Sequence, residues 1–179
     1  MNGMAWRCDF PGERVQLPTV RRLATALLGD CPVRDDAISC VVELASNAIL
    51  HTKSAGGVFT VGIWLLGTTA RVAVKDAGGS NEPVLHEGHQ GQLSEGGRGL
   101  AIVAALCIRL GVAGDEGGRV VWADLSCGSD GAGADAVGPV SREEVPLLEM
   151  ACVRCWGLNS QQSRTVSPAV LAGGEVRRG

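Results

Sequence analysis

Residues 95–106 read EGGRGLAIVAAL, and this stretch decides the fold that we expect for the chain. Gly96, Gly97 and Gly99 surround Arg98 immediately before a run with almost no polar side chains. A helix that begins here has unpaired N–H groups and partial positive charge in its first turn, and missing side chains let phosphate oxygens reach them. Arg98 adds a cation beside such a site, unless its side chain faces solvent. A flexible loop that joins a buried helix is the alternative, because a glycine cluster alone is a weak signal.

The composition of the 179-residue chain is typical of one folded domain with a tail, with 45% hydrophobic and 20% charged residues. Its formal net charge of −3 provides no basic field, so we expect no direct binding of nucleic acid. No apolar run is long enough to span a bilayer, and the first residues lack the pattern of a secretory signal. We therefore expect a cytoplasmic protein that makes no membrane contact.

Seven cysteines are scattered along the chain, and in a cytoplasmic protein we expect them to be reduced thiols. Cys152 and Cys155 form a CVRC pair, but a zinc site needs about four ligands, and the sequence has no second CxxC and no HxxxH. Two thiols on a C-terminal helix are therefore favoured over a metal or redox site.

Hydrophobic periodicity predicts the secondary structure. In chain order it predicts a helix over Pro18–Leu28, a helix from a cap at Asp35 or Asp36 to about His51, strands over Val58–Leu66 and Ala70–Asp76, a helix over Gly99–Leu110 and a strand over Arg119–Leu125. The short Gly67-Thr68 link makes the first two strands an antiparallel hairpin. This order favours an α/β fold with a helical layer on one face of a mixed, mainly antiparallel sheet.

Two segments fall outside this pattern. The stretch from Ala77 to Gly97 is long and has little that could pack, and such connections are usually functional or mobile. We expect the folded domain to cover residues 1–126, and residues 127–179 to form a linker and a largely disordered tail. Within that tail, Glu143–Trp156 could form a short helix.

The second predicted helix contains VVELASNAILH, which carries two polar residues at the edge of its apolar stripe. Glu43 and Asn47 are four residues apart, so they lie on the same side of the helix. The amide oxygen of Asn47 suits a hard cation, and a carboxylate at Glu43 could orient or deprotonate a hydroxyl nucleophile. A solvated pair at the boundary of the core is the alternative and, for this motif alone, the favoured one.

A third motif, DAGG, follows the second strand. Asp76 ends the strand, and an acid there can accept a hydrogen bond from an exocyclic amine, while Gly78 and Gly79 let a ligand approach the backbone. An ordinary Asp-Gly turn explains the same residues, so the motif gains weight only together with the other two.

ELASNA on a helix, DAGG after a strand and EGGRGLAIV at a helix start occur here in that order, with a long loop between the last two. This arrangement resembles the nucleotide-binding boxes of the GHKL superfamily, the histidine-kinase-like ATPases, and more closely its small anti-sigma factor and serine/threonine kinase group. The resemblance extends from about Phe10 to Leu125. It implies a two-layer α/β sandwich of the Bergerat type that binds ATP with Mg²⁺.

The resemblance also implies a role for each matching residue. Asn47 would be a ligand of Mg²⁺, and Glu43 would be the general base. Asp76 would accept a hydrogen bond from the adenine amino group, and Gly78 would make room for the base. The phosphates would lie against Gly97, Arg98, Gly99 and Leu100, and residues 77–95 would form a lid.

The chain departs from the family pattern in two places. Ser80 replaces the second glycine of the D-x-G-x-G box that the family often has, which puts the affinity for adenine in question. His86 and His89 lie near Glu87 in the lid, where a solvated loop is favoured over a metal site because no rigid scaffold holds the three groups.

The leading hypothesis is an ATP-binding regulator that binds a sigma factor and phosphorylates a serine or threonine of an antagonist, an anti-anti-sigma protein. An ATP-gated binding module without turnover is the alternative, because a retained nucleotide site does not guarantee catalysis. A receptor histidine kinase is less favoured, since none of the histidines lies in a separate upstream helical hairpin. The resemblance makes a homodimer plausible. Trp64 and Trp122 would mark an interface if exposed and core if buried.

Overall fold

The computed structural model describes residues 4–79, 98–127 and 163–166. In chain order the elements are β1 (Met4–Pro11), α1 (Leu17–Leu28), α2 (Arg34–His51), β2 (Val58–Leu66), β3 (Thr69–Asp76), α3 (Arg98–Leu106), β4 (Arg109–Asp115), β5 (Gly118–Ser126) and β6 (Ser163–Val166). A short 3-10 turn, Arg14–Gln16, precedes α1.

The strands form one sheet in the order β1-β2-β3-β5-β4-β6, and every described pair of neighbours is antiparallel. The predicted hairpin of β2 and β3 is confirmed, with Trp64 paired to Arg71 and Gly67 in the turn at a φ of 57°. A positive φ is a conformation that glycine adopts without steric cost, which fits its place in this turn.

The three helices cover one face of the sheet, as predicted, and the main hydrophobic core lies between the two layers. Alternate residues of each strand point into this core, because side chains along a strand alternate between faces. Its buried members from the strands include Phe59, Val61, Ile63, Val72, Val74, Val121, Ala123 and Leu125. The α/β sandwich with a mainly antiparallel sheet and one helical layer is therefore confirmed.

The opposite surface of the sheet, which we call the distal face, carries a second buried cluster of Trp64, Ala73, Val120 and Trp122. Both tryptophans are nearly inaccessible, at 3% and 1% exposure. Of the two possibilities left open by the sequence, these side chains are therefore core. The homodimer stays a prediction, and these two buried tryptophans do not support it.

A buried ion-pair network lies on the same face. The Asp124 carboxylate accepts hydrogen bonds from Arg71 Nη2 at 2.8 Å and from Arg109 Nη2 at 2.8 Å. The Arg71 guanidinium carbon also lies 4.0 Å from the centre of the Trp122 ring. Arg71 and Asp124 are fully buried, so each charge depends on its partner for compensation.

Two predicted boundaries are wrong. The third helix ends at Leu106 rather than Leu110, and the next residues form β4, which the sequence analysis did not predict. In β4, a methyl group on Gly111 would collide with the ring of Trp122, so the glycine is needed for packing. The cap of α2 is Val33, while Asp35 and Asp36 lie in its first turn, where their charges favour the helix dipole.

The ends of the described chain add two strands that were not predicted. β1 pairs along its whole length with β2 and forms one edge of the sheet. β6 pairs with β4 at the other edge, and its four residues lie within the segment predicted to be a linker and a largely disordered tail. The helix predicted over Glu143–Trp156, with Cys152 and Cys155, lies outside the described residues, and the domain boundaries stay a prediction.

Candidate functional site

The predicted polar pair lies on α2, whose opposite side packs into the core. Glu43 and Asn47 are both half-buried at the edge of the helical layer. The helix is fixed in place by apolar side chains that are almost fully buried: Val41, Leu44, Ala45 and Ala48. The pair is thus presented by a rigid element, which suits a site that must hold its geometry.

The start of α3 lies directly against this pair. A methyl group on Gly99 would stand 2.7 Å from Oε2 of Glu43 and 3.5 Å from both Nδ2 and Oδ1 of Asn47. The structure therefore brings the glycine-rich stretch and the Glu/Asn helix together, as the resemblance implied. Because Gly99 has no side chain, the first turn of α3 can approach the two polar groups this closely.

Asn47 carries an unsatisfied polar atom. Its Nδ2 is buried and has no hydrogen-bond partner among the described residues. Burying an amide without a partner costs free energy, so a native structure that keeps one usually has a reason for it. An oxygen-rich anion held between the amide and the first turn of α3 would supply the missing acceptor, and the residues present fit a nucleotide phosphate with its cation.

Asp76 ends β3 in a buried position, at 7% exposure. Its Oδ1 accepts a hydrogen bond of 2.6 Å from the Gly78 N–H. Burial raises the pKa of the Asp76 carboxyl, and the hydrogen bond from Gly78 and the charge of Arg119 oppose that rise. The site thus holds a carboxylate in a dry environment, where its hydrogen bonds are strong.

Gly78 is required by the fold itself. Its φ of 72° is a conformation that side chains strain, and a methyl group would collide with the backbone carbonyl of Glu116. The turn after Asp76 therefore packs tightly against the link between β4 and β5. That Gly78 also makes room for adenine stays a prediction.

The turn after β3 is tied to the end of α2. The Ala77 N–H donates to Oγ of Ser54 at 2.9 Å, and the Lys53 N–H donates to the carbonyl of Gly78 at 2.9 Å. Ser54 is completely buried. These bonds join the turn after Asp76 to the segment that directly follows α2, so the acid and the Glu/Asn helix belong to one connected frame.

Sequence reasoning missed two residues of this frame. Ser54 stands in a predicted turn, and nothing in its neighbourhood marks it as a partner of Ala77. Arg119 lies opposite Asp76 because β3 pairs with β5 in a register that joins these two residues. The strand over residues 119–125 was predicted, but its pairing with β3 was not. Knowledge of that pairing would have placed Arg119 beside Asp76.

The remaining predicted site residues have less structural detail. Leu100 is half-buried and packs against the core, and Arg98 is the first residue of α3, with its side chain outside the described part. Gly97 lies outside the described residues. So do Ser80 and the lid residues Glu87, His86 and His89. The chemical roles of all eight predicted residues stay predictions.

Within residues 4–79, 98–127 and 163–166, no group of three or more His, Cys, Asp or Glu could hold a metal ion. Mg²⁺ is often held instead by one or two protein ligands together with nucleotide phosphates, so this finding does not bear on Asn47. In the same ranges, no helix combines the length and apolar character needed to cross a membrane.

Comparison with models of known protein families gives a match. The model of a protein family described as "Histidine kinase-like ATPase domain" matches residues 10–125. This range is more than half of the chain and contains all eight predicted site residues. No curated protein matches the chain significantly.

Proposed function

The chain belongs to the histidine kinase-like ATPase domain family, and on this premise we propose that it is an ATP-binding regulatory protein that phosphorylates a serine or threonine of a partner. The proposed partners are a sigma factor, which it binds, and an anti-anti-sigma protein, which it phosphorylates. Regulation of this kind takes place in the cytoplasm, where we place the protein.

The contact of Gly99 with Glu43 is the observation that carries the proposal. It puts a carboxylate at the first turn of α3, where the helix N–H groups favour phosphate. Nucleotide binding alone would not need a carboxylate there. In transfer, Glu43 would accept the proton of the incoming hydroxyl while the N-terminus of α3 stabilises charge on the phosphoryl oxygens.

Asn47 is the residue that would hold Mg²⁺, through its Oδ1, with the buried Nδ2 left to donate to a phosphate oxygen. When bound, the ion would supply charge neutralisation at the phosphates. Asp76, fixed by Gly78 through one oxygen, has a second oxygen that could accept a hydrogen bond from the adenine amino group.

The test is a transfer assay with Glu43→Gln, which keeps the shape and removes the base. Full chain, Mg²⁺ and ATP labelled at the γ-phosphate are incubated with an extract of the source cells, and protein-bound label is tested for acid stability. Glu13→Gln is the matched control, since Glu13 is exposed. Binding of a fluorescent ATP analogue is measured for each variant.

We expect acid-stable label with the wild type and Glu13→Gln, and its loss in Glu43→Gln with analogue binding retained. Binding without any label would contradict the kinase and leave an ATP-gated module. Acid-labile label would indicate phosphohistidine and a histidine kinase instead. Label that persists in Glu43→Gln would remove Glu43 from the chemistry.

A further inference from the structure

Two cysteines that are far apart in the sequence lie in contact in the fold. Sγ of Cys31 and Sγ of Cys127 are 3.3 Å apart, and both side chains are half-buried. The two positions are 96 residues apart, so the contact depends on the folded chain. Both thiols are free, and the contact is therefore a hydrogen bond between two reduced groups.

Cys31 lies in the link between two helices, since α1 ends at Leu28 and α2 begins at Arg34. The Cys31 N–H donates to the carbonyl of Leu28 at 2.9 Å, and the Cys31 carbonyl accepts from the Arg34 N–H at 3.0 Å. The backbone thus holds Cys31 against the ends of both helices. Because the residue itself is outside them, a small shift of its side chain does not unwind either helix.

Cys127 lies at one end of the sheet, directly after β5. Its N–H donates to the carbonyl of Thr68, in the turn between β2 and β3, at 2.7 Å. The sulfur contact therefore connects the helical layer, at the start of α2, with three strands of the sheet. A covalent bond at this point would brace the two layers against each other.

The contact is close enough for a disulfide to form with little rearrangement. The two sulfur atoms of a disulfide are about 2.05 Å apart, so the thiols have to approach each other by roughly 1.3 Å. Rotation of the two side chains and a small shift at Cys31 cover a distance of this size.

The other cysteines among the described residues lack this combination of proximity and access. Cys8 is exposed on β1, whereas Cys40 and Cys107 are buried. Burial raises the pKa of Cys40 and that of Cys107 to about 12, so these two thiols stay protonated and are poor nucleophiles.

The surroundings of the pair keep it reduced until an oxidant is present. Burial, followed by the hydrogen bond and the charge interaction with Cys31, raises the pKa of Cys127 to about 12. Because the thiolate is the nucleophile, Cys127 is a poor starting point at neutral pH, and we assign the first attack to Cys31. Disulfides of cytosolic proteins are usually transient, which suits a pair of this kind.

We propose that Cys31 and Cys127 are a redox modification site, at which a low-molecular-weight disulfide such as oxidised glutathione forms a reversible bond between the helical layer and the sheet. Cys31 loses its proton to water, and its thiolate attacks one sulfur of the reagent, which releases one glutathione thiolate and leaves a mixed disulfide. Cys127 then loses its proton to water and attacks the Cys31 sulfur, which releases the second glutathione thiolate. The two cysteines are oxidised, and the reagent is reduced to two glutathione thiols that take up the two protons.

The bond lies far from the candidate ATP site. Ser126, which precedes Cys127, pairs with Thr69 at the start of β3, whereas Asp76 ends the same strand. The two ends of β3 are about 23 Å apart, at about 3.3 Å per residue. Oxidation therefore braces the fold without acting on Asp76 directly, and the proposal does not depend on the proposed function.

The test is disulfide mapping of the full chain by mass spectrometry. Reduced protein is incubated with oxidised glutathione without denaturant, free thiols are blocked with N-ethylmaleimide, and the chain is cut with trypsin. Each cysteine of the sequence falls into its own tryptic peptide, with Cys31 in residues 23–34 and Cys127 in residues 120–142. Cys31→Ser is the variant, and Cys8→Ser, which removes an exposed thiol, is the matched control.

We expect the cross-link between residues 23–34 and 120–142 in the wild type and in Cys8→Ser, its loss in Cys31→Ser, and the return of both free thiols after dithiothreitol. The oxidised wild type should melt about 5 °C or more above the reduced protein, because the cross-link restricts the unfolded chain, and Cys31→Ser should show no such shift. If Cys31→Ser fails to fold, Cys127→Ser replaces it with the same readout.

Complete blocking of both thiols after incubation of the folded wild type would overturn the proposal. A bond from Cys127 to any other cysteine would also overturn it, and so would a cross-link between labelled and unlabelled chains in a mixture of heavy-isotope and ordinary protein. A cross-link that lowers the Tm would contradict its role as a brace.

Discussion

Gly99 of α3 lies against the Glu43 carboxylate of α2, so closely that a methyl group on Gly99 would stand 2.7 Å from Oε2. The contact joins residues from two distant parts of the sequence, one from a helix interior and one from a glycine-rich helix start. It makes Gly99 a probe of the proposed general base that leaves Glu43 itself in place.

Gly99→Ala should separate stability from phosphoryl transfer. Alanine favours a helix by up to about 1 kcal/mol over glycine, so we expect the Tm to stay the same or rise. The new methyl group displaces the flexible end of Glu43, so we expect transfer to fall by about tenfold or more. Ala101→Ser, at an exposed position two residues further along α3, is the control and should leave transfer unchanged, with a small decrease in Tm from its lower helix propensity.

Gly78→Ala tests whether the turn after Asp76 is required by the fold. A positive φ costs a non-glycine residue roughly 1–2 kcal/mol, and here the methyl group also meets the Glu116 carbonyl. Gly56→Ala is a close match, with a φ of 69° and nothing within 4 Å of the added group. Denaturant titration should give a larger loss of unfolding free energy for Gly78→Ala; equal losses would contradict the collision.

Asp76→Asn should make stability less dependent on pH. Burial raises the pKa of Asp76 in the folded chain, so its carboxyl contributes most to stability below the unfolded pKa, and this contribution is lost as pH rises through the folded pKa. Asn has no such ionisation, and its oxygen can still accept from Gly78. We expect the Tm of the variant relative to wild type to increase from about pH 4 to neutral pH.

The control for this titration is Asp30→Asn, because Asp30 is exposed. Its Tm difference from wild type should not follow the same trend. A difference for Asp76→Asn that shrinks toward neutral pH would mean that the charge of Arg119 outweighs burial. If Asp76 accepts a hydrogen bond from the adenine amino group, the same variant should also lose affinity for an ATP analogue.

Asp124→Asn should be strongly destabilising. The substitution removes the charge that compensates Arg71, which is fully buried, and breaking a buried pair costs about 3–5 kcal/mol. Asp35→Asn breaks the exposed pair with Arg34 and should have a much smaller effect, because solvent screens exposed charges. Equal effects in denaturant titrations would show that the buried network contributes no more than a surface pair.

The sequence was most informative where the signal is local and periodic. The β2–β3 hairpin and α2 follow from alternating and helical patterns, and the Glu43–Asn47 pair follows from helical spacing. β4 was missed because the apolar run from Leu100 to Leu110 continues the helical pattern through the point where α3 ends. Gly111 of β4 is required because a side chain there would collide with Trp122 of β5, and a contact between two strands is not visible in the local sequence.

The site was predictable as three motifs but not as one frame. Nothing local places Arg119 opposite Asp76 or Ser54 beneath Ala77, because both depend on how distant segments pair. The same limit hid the distal face, since Trp64 and Trp122 are compatible with either core or interface until the sheet order is known.

The most direct test of the account is a titration of the full chain with a fluorescent ATP analogue, with and without Mg²⁺. Asn47→Ala is the variant and Ser46→Ala, its half-buried neighbour on α2, is the control. We predict Mg²⁺-dependent binding by the wild type and Ser46→Ala that Asn47→Ala abolishes. Absence of binding by the wild type at millimolar analogue, or equal binding by Asn47→Ala, would contradict the central claim that α2 and α3 form an ATP site.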